Sequence, residues 1–137
     1  MGTWAAGPFD NDGAADWAGA LDDAEPDERA ALVRAALDDA ADEDDYLGID
    51  AAEVAVAAAA VVAATRPDGP EFESGYAPKS LRSGEPWVLS DDLVSLALRA
   101  LDRVVADESE WRELWEDGGG LDLPLTELAA VREALGG

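Results

Sequence analysis

Along most of the chain apolar residues recur at three- and four-residue intervals, the spacing that lines one side of an α-helix. The first stripe is Ala14, Trp17, Ala18 and Leu21, and Asp10, Asn11 and Asp12 ahead of it have the short polar side chains that cap helix N-termini. A second begins at Pro26, a residue suited to a first helical turn, with Asp27 and Glu28 near the positive end of the helix dipole. Its apolar face is Val33, Ala36, Leu37 and Ala40, and mutual repulsion in Asp42-Glu43-Asp44-Asp45 should end it. Asp50 and Glu53 form a capping-box pattern ahead of Val54, Ala58, Val61 and Val62. The alanines between them leave hardly any polar face, so this third helix is expected at the centre with close neighbours.

The stretch 66–88 interrupts the pattern with Pro67, Gly69, Pro70, Gly75, Pro78, Gly84 and Pro86, and reads as one long loop held down by Phe72, Tyr76 and Trp87. Ser90, Asp91 and Asp92 then open the clearest helix. In it Leu93, Leu96, Ala97, Ala100, Leu101 and Val104 keep helical spacing, widened by Leu98 and Val105. Asp107 and Glu110 repeat the capping-box pattern before Trp111, Leu114 and Trp115, and Gly118-Gly119-Gly120 stops that short helix. Pro124 begins the last, with Leu125, Leu128, Val131 and Leu135 inward. No segment alternates as a strand does. The expectation is an all-α, single-domain irregular bundle of five to six helices over residues 1–137, with one long loop at 66–88.

Charge changes this picture. Thirty-two acidic residues face nine basic ones, for a net charge of -23, and Lys79 is the lone lysine. A surface rich in Asp and Glu and poor in Lys suits concentrated salt, where screening removes self-repulsion. This halophilic reading stands ahead of a second one, in which the abundance of Ala, Asp, Val and Arg reflects a GC-rich genome. Such a field repels nucleic-acid phosphates and anionic membranes, leaving basic protein surfaces and cations as company. The chain has no cysteine and no histidine. Disulfides, thiolate metal sites, Cys nucleophiles, Ser-His-Asp triads and imidazole acid–base chemistry are thereby excluded. No secretory signal is discernible, and the longest apolar run, Ala51 to Ala64 broken by Glu53, is short for a bilayer; a cytoplasmic protein is expected.

The densest polar-aromatic constellation is Trp4, Phe9, Asp10, Asn11, Asp12, Asp16 and Trp17. Asp12 and Asp16 lie four apart on one helical face, and Asp10 and Asn11 add oxygens, so a divalent cation has candidate ligands in Asp10, Asp12 and Asp16. The calcium-loop template fails, because with Gly13 as its invariant glycine the first and last ligand positions fall on Pro8 and Gly19. The commoner use of these residues is structural: Asp10 or Asn11 as cap, Phe9 as staple, Trp4 and Trp17 buried. The same weighing applies to Asp42–Asp45 as a cation site or a solvated helix end, and to Trp111 and Trp115 as a partner patch or core. Tyr76, Lys79, Ser80, Arg82 and Ser83 form a weakly specific candidate for an anion.

The opening Gly2-Thr3-Trp4, Gly7-Pro8-Phe9-Asp10-Asn11-Asp12 and Ala15-Asp16-Trp17, with the later Glu113-Leu114-Trp115, resembles a bacterial and archaeal family, domain of unknown function 4259. Ala5 stands where that pattern has a glycine. The resemblance implies a small standalone domain and, since the family has no established activity, brings no catalytic residues with it.

Two functional expectations follow. The favoured one is a non-enzymatic protein-binding module, immunity- or antitoxin-like, engaging a basic surface without a cofactor; it predicts an exposed acidic face beside at least one exposed aromatic. The alternative is a carboxylate- or divalent-metal-dependent enzyme using Asp10, Asp12 and Asp16, which predicts those groups converging in a pocket.

Overall fold

In the computed structural model, residues 12–65, 91–119 and 122–136 are described. They form six helices: α1 (Asp12–Asp23), α2 (Pro26–Ala41), α3 (Ile49–Ala64), α4 (Asp92–Val105), α5 (Glu110–Asp117) and α6 (Asp122–Ala134). No strand occurs among the described residues; the nearest approach is one isolated parallel bridge between Leu47 and Ser109. The all-α expectation is met, and the loop expected at 66–88 lies outside the described residues.

The third helix is central, as its composition demands. Every residue from Ala55 to Ala63 is buried, and α3 packs against each of the other five helices. A helix apolar on all sides is stable only when neighbours cover all sides, and alanine lets those neighbours approach closely while favouring the helical backbone. The faces turned toward it are the periodic ones: Ala14, Ala18 and Leu21 of α1; Val33, Leu37 and Ala40 of α2; Leu93, Ala97, Leu101 and Val104 of α4; Leu128 and Val131 of α6. The second helix also packs directly on α4, completing a three-helix centre.

Helix termini depart from the expected capping boxes. The N-cap of α3 is Gly48 and that of α5 is Ser109, and neither has a side-chain capping bond. Asp50 lies inside the first turn of α3 and Glu53 is buried, so their capping box does not form. Asp107 precedes the α5 cap, and Glu110 turns its carboxylate to a different helix. Glycines end α5 and α6: Gly119 (φ 72°) and Gly136 (φ 84°) adopt the left-handed conformation, with their N–H groups donating to the carbonyls of Glu116 and Glu133.

Arginines close other helix ends. Arg29 is buried on α2, and its Nε donates to the Leu21 carbonyl at 3.1 Å, at the C-terminus of α1. Arg112 of α5 donates through Nη1 to the Val105 carbonyl at 2.5 Å, at the C-terminus of α4. A cation there satisfies a terminal carbonyl and meets the negative end of the helix dipole. Arg112 also pairs through Nε with Glu116, and on the surface Arg34 pairs with Asp92 and Arg132 with Asp102.

Candidate interaction surface

One end of the bundle is closed by two acidic connections lying side by side. The α2–α3 connection carries the acidic run Asp42–Asp45 and then Tyr46, Leu47 and Gly48; the α4–α5 connection carries Asp107, Glu108 and Ser109. Leu47 is buried, and its backbone spans the gap: its N–H donates to the Glu108 carbonyl at 2.9 Å, and its carbonyl accepts from the Glu110 N–H at 2.8 Å. The Glu110 carboxylate returns across the same gap, Oε1 accepting from the Ile49 N–H at 2.8 Å.

Two stretches this acidic repel each other unless a cation joins them, and that cation is Arg103, near the end of α4. Its Nε donates to the Glu43 carbonyl at 2.9 Å and its Nη2 to the Asp45 carbonyl at 2.5 Å. Longer bonds reach the Asp107 carbonyl at 3.4 Å and the Glu108 carbonyl at 3.3 Å. Only a planar fork of donors can address carbonyls on both connections at once, which explains arginine at this position. Glu108 has φ 61°, a conformation costing a non-glycine residue about 1–2 kcal/mol, and the bonds to its carbonyl hold it there.

Leu47, bridged to Ser109, is buried, whereas its neighbour Tyr46 is 47% exposed. The Tyr46 hydroxyl donates to Oε2 of Glu113 on α5. That bond, then desolvation and the negative charges of Glu113 and Glu110, push the phenol up from 10.0 to about 12, so it stays a neutral donor. Beside it, the outward face of α5 carries Glu113, Leu114 and Asp117, at helical spacing, and Leu114 is 45% exposed. Trp111 is buried, with Trp115 half-buried at a ring-centroid distance of 6.5 Å. The tryptophan pair therefore packs toward the core, and among the described residues the exposed large hydrophobic side chains are Tyr46 and Leu114.

Of the N-terminal candidates, Trp4, Phe9, Asp10 and Asn11 lie outside the described residues, as do Tyr76, Lys79, Ser80, Arg82 and Ser83. Asp12 is the first residue of α1. Asp16 is exposed, whereas Trp17 is half-buried against the core, so these two neighbours serve different surroundings. Among the described residues no group of three or more carboxylates is placed to hold a metal ion, the Asp42–Asp45 run included. No described helix is long and apolar enough to cross a membrane.

Sequence reasoning missed Tyr46, Glu113 and Arg103. The available signal was a single aromatic closing an acidic run, next to an apolar residue that had to go inside. Leu114 was assigned to the Trp111–Trp115 face, but a helix of eight residues at the rim buries too narrow a stripe to include it.

Neither a curated protein nor a solved structure matches this chain. A family model does match, over residues 2–123, described as a domain of unknown function, DUF4259. That span takes in the N-terminal constellation, both acidic connections and all of α5, and the chain belongs to the DUF4259 family.

Proposed function

We propose that this chain is a non-enzymatic protein-binding module whose partner presents a basic surface, and that it binds through the face formed by Tyr46, Leu114 and the carboxylates around them. The observation that carries this reading is the outward position of Tyr46 and Leu114, 47% and 45% exposed, within the acidic end of the bundle. Exposed apolar side chains ringed by charge are the usual composition of a binding patch, the aromatic as anchor and the charges setting partner choice and association rate. The chain's chemistry agrees: without cysteine or histidine it has few groups for catalysis at neutral pH, and among the described residues Arg29 and Arg112 serve helix ends while Arg34 and Arg132 pair with Asp92 and Asp102. Neutralising a basic active or nucleic-acid-binding surface, as immunity proteins and antitoxins do, is the role such a module fits. No observation among the described residues favours the alternative of a carboxylate- or metal-dependent enzyme built on Asp10, Asp12 and Asp16.

The test is site-specific photo-crosslinking in cells that express the chain, with the probe at Leu114 and a control probe at Ala35, an exposed position on α2. A protein adduct rich in Lys and Arg, formed from position 114 and not from 35, is the expected result. No adduct at 114, or the same adducts from both positions, overturns the proposal.

A further inference from the structure

Resting on the binding reading above, we infer that the partner residue received at this face is an arginine, stacked on the Tyr46 ring and hydrogen-bonded to the carboxylate of Glu113. The ring is held in place before any partner arrives. Its backbone is fixed by the Leu47 N–H bond to Glu108 and by Arg103 on the Asp45 carbonyl, and its hydroxyl by Glu113. An anchor already fixed in position loses little freedom on binding, which is where much of the affinity of aromatic hot spots originates.

The chemistry of the position selects the occupant. The Tyr46 hydroxyl faces a carboxylate, so the site does not invite an anionic ligand or an added acceptor. Tyr46 is 47% exposed, and electron-rich ring faces attract cations. Oε2 of Glu113 takes the Tyr46 proton donor, while Oε1 has no hydrogen-bond partner among the described residues. A guanidinium satisfies both features at once: its plane stacks on the ring while an N–H in that plane reaches Oε1. A lysine ammonium can meet the carboxylate but has no plane to stack. Leu114, beside Glu113, offers apolar surface to the methylene stem or to an apolar neighbour of that arginine. Asp44 and Asp45, exposed next to Tyr46 in the chain, draw the positive charge in.

The experiment titrates the full chain with blocked hexa-arginine and hexa-lysine peptides in potassium chloride high enough to screen the general field. Affinities are measured, together with NMR shifts of the Tyr46 ring and the Leu114 methyls. Hexa-arginine is expected to bind roughly two- to five-fold tighter than hexa-lysine and to move the Tyr46 ring resonances. Tyr46→Ala should bring the two peptides to equal affinity. Glu113→Gln should weaken both peptides while the arginine preference, which rests on the ring, persists; it leaves an acceptor for the Tyr46 hydroxyl, and its melting temperature verifies that the fold is kept. Equal affinities for the wild-type chain, with both peptides shifting Tyr46 and Leu114, overturn the arginine assignment and leave the basic-surface reading standing. If neither peptide shifts Tyr46 or Leu114, the reading and the inference fall together.

Discussion

Glu110 caps a helix that is not its own: its Oε1 accepts the backbone N–H of Ile49, the first residue of α3, from 61 positions further along the chain. A local capping box would stabilise one helix end. This long-range cap instead couples the start of the central helix to the start of α5, and a carboxylate there also meets the positive end of the α3 dipole. Replacing it with alanine leaves a partly buried N–H unpaired, and Glu110→Ala should lower stability by about 1 kcal/mol in urea unfolding. Glu110→Gln keeps an acceptor oxygen and should lose less. Equal losses from the two substitutions would show that charge, and not the hydrogen bond, is what matters.

Arg103 should tolerate no conservative replacement. Lysine preserves the charge but presents a single nitrogen, which cannot bond the Glu43, Asp45, Asp107 and Glu108 carbonyls together. Arg103→Lys is expected to cost about 1–3 kcal/mol, the range for losing hydrogen bonds from a charged group. That loss corresponds to a fall in Tm of roughly 3–10 °C, followed by circular dichroism. An unchanged Tm would mean that the two acidic connections hold together without the fork.

The pattern of apolar positions reveals the helices because each contributes one periodic face to a shared core, and the alanines of α3 announce its central place. Gly118 and Gly119 likewise announce the end of α5, since a left-handed terminal residue favours glycine. The clasp at the acidic end was not legible, for a physical reason. Its bonds join residues about sixty positions apart, Glu110 to Ile49 and Arg103 to Glu43, and sequence spacing carries information only about neighbours within a turn or two. The capping-box motif was in this respect misleading: the residue types were right for caps, but tertiary contacts decided which N–H each carboxylate reaches. The burial of Leu47 beside the exposed Tyr46 becomes visible only once the two connections are brought together.

Tyr46 makes stability depend on alkaline pH in a defined direction. Its phenol is pushed up from 10.0 to about 12 by the bond to Glu113, so the folded chain holds that proton more tightly than the unfolded one. The contribution is fully present below pH 10 and is lost as pH rises toward about 12. Chemical unfolding between pH 9 and about 12 should therefore show a decline that Tyr46→Phe reduces, because phenylalanine has no proton to lose. In a Tyr76→Phe chain, where Tyr46 is the one phenol, absorbance of the phenolate should rise toward pH about 12 and not near pH 10.0. A single titration near pH 10 would contradict the bond to Glu113.

Salt should act most strongly at this same end of the molecule. A net charge of -23 favours expanded states at low ionic strength, and the side-by-side Asp42–Asp45 and Asp107–Glu108 stretches concentrate the repulsion where Arg103 is the cation bridging them. Screening over a few ångströms at molar salt weakens that repulsion, while the buried α3 contacts gain from salting-out. Thermal unfolding followed by circular dichroism should show Tm rising from low to multimolar potassium chloride. Asp44→Asn/Asp45→Asn should reduce that rise, because it removes charge from the exposed rim while leaving the Asp45 carbonyl available to Arg103. A salt-independent Tm would instead mean that the acidic surface is held folded at no measurable disadvantage. Its charge would then be left to a basic partner as the remaining physical use.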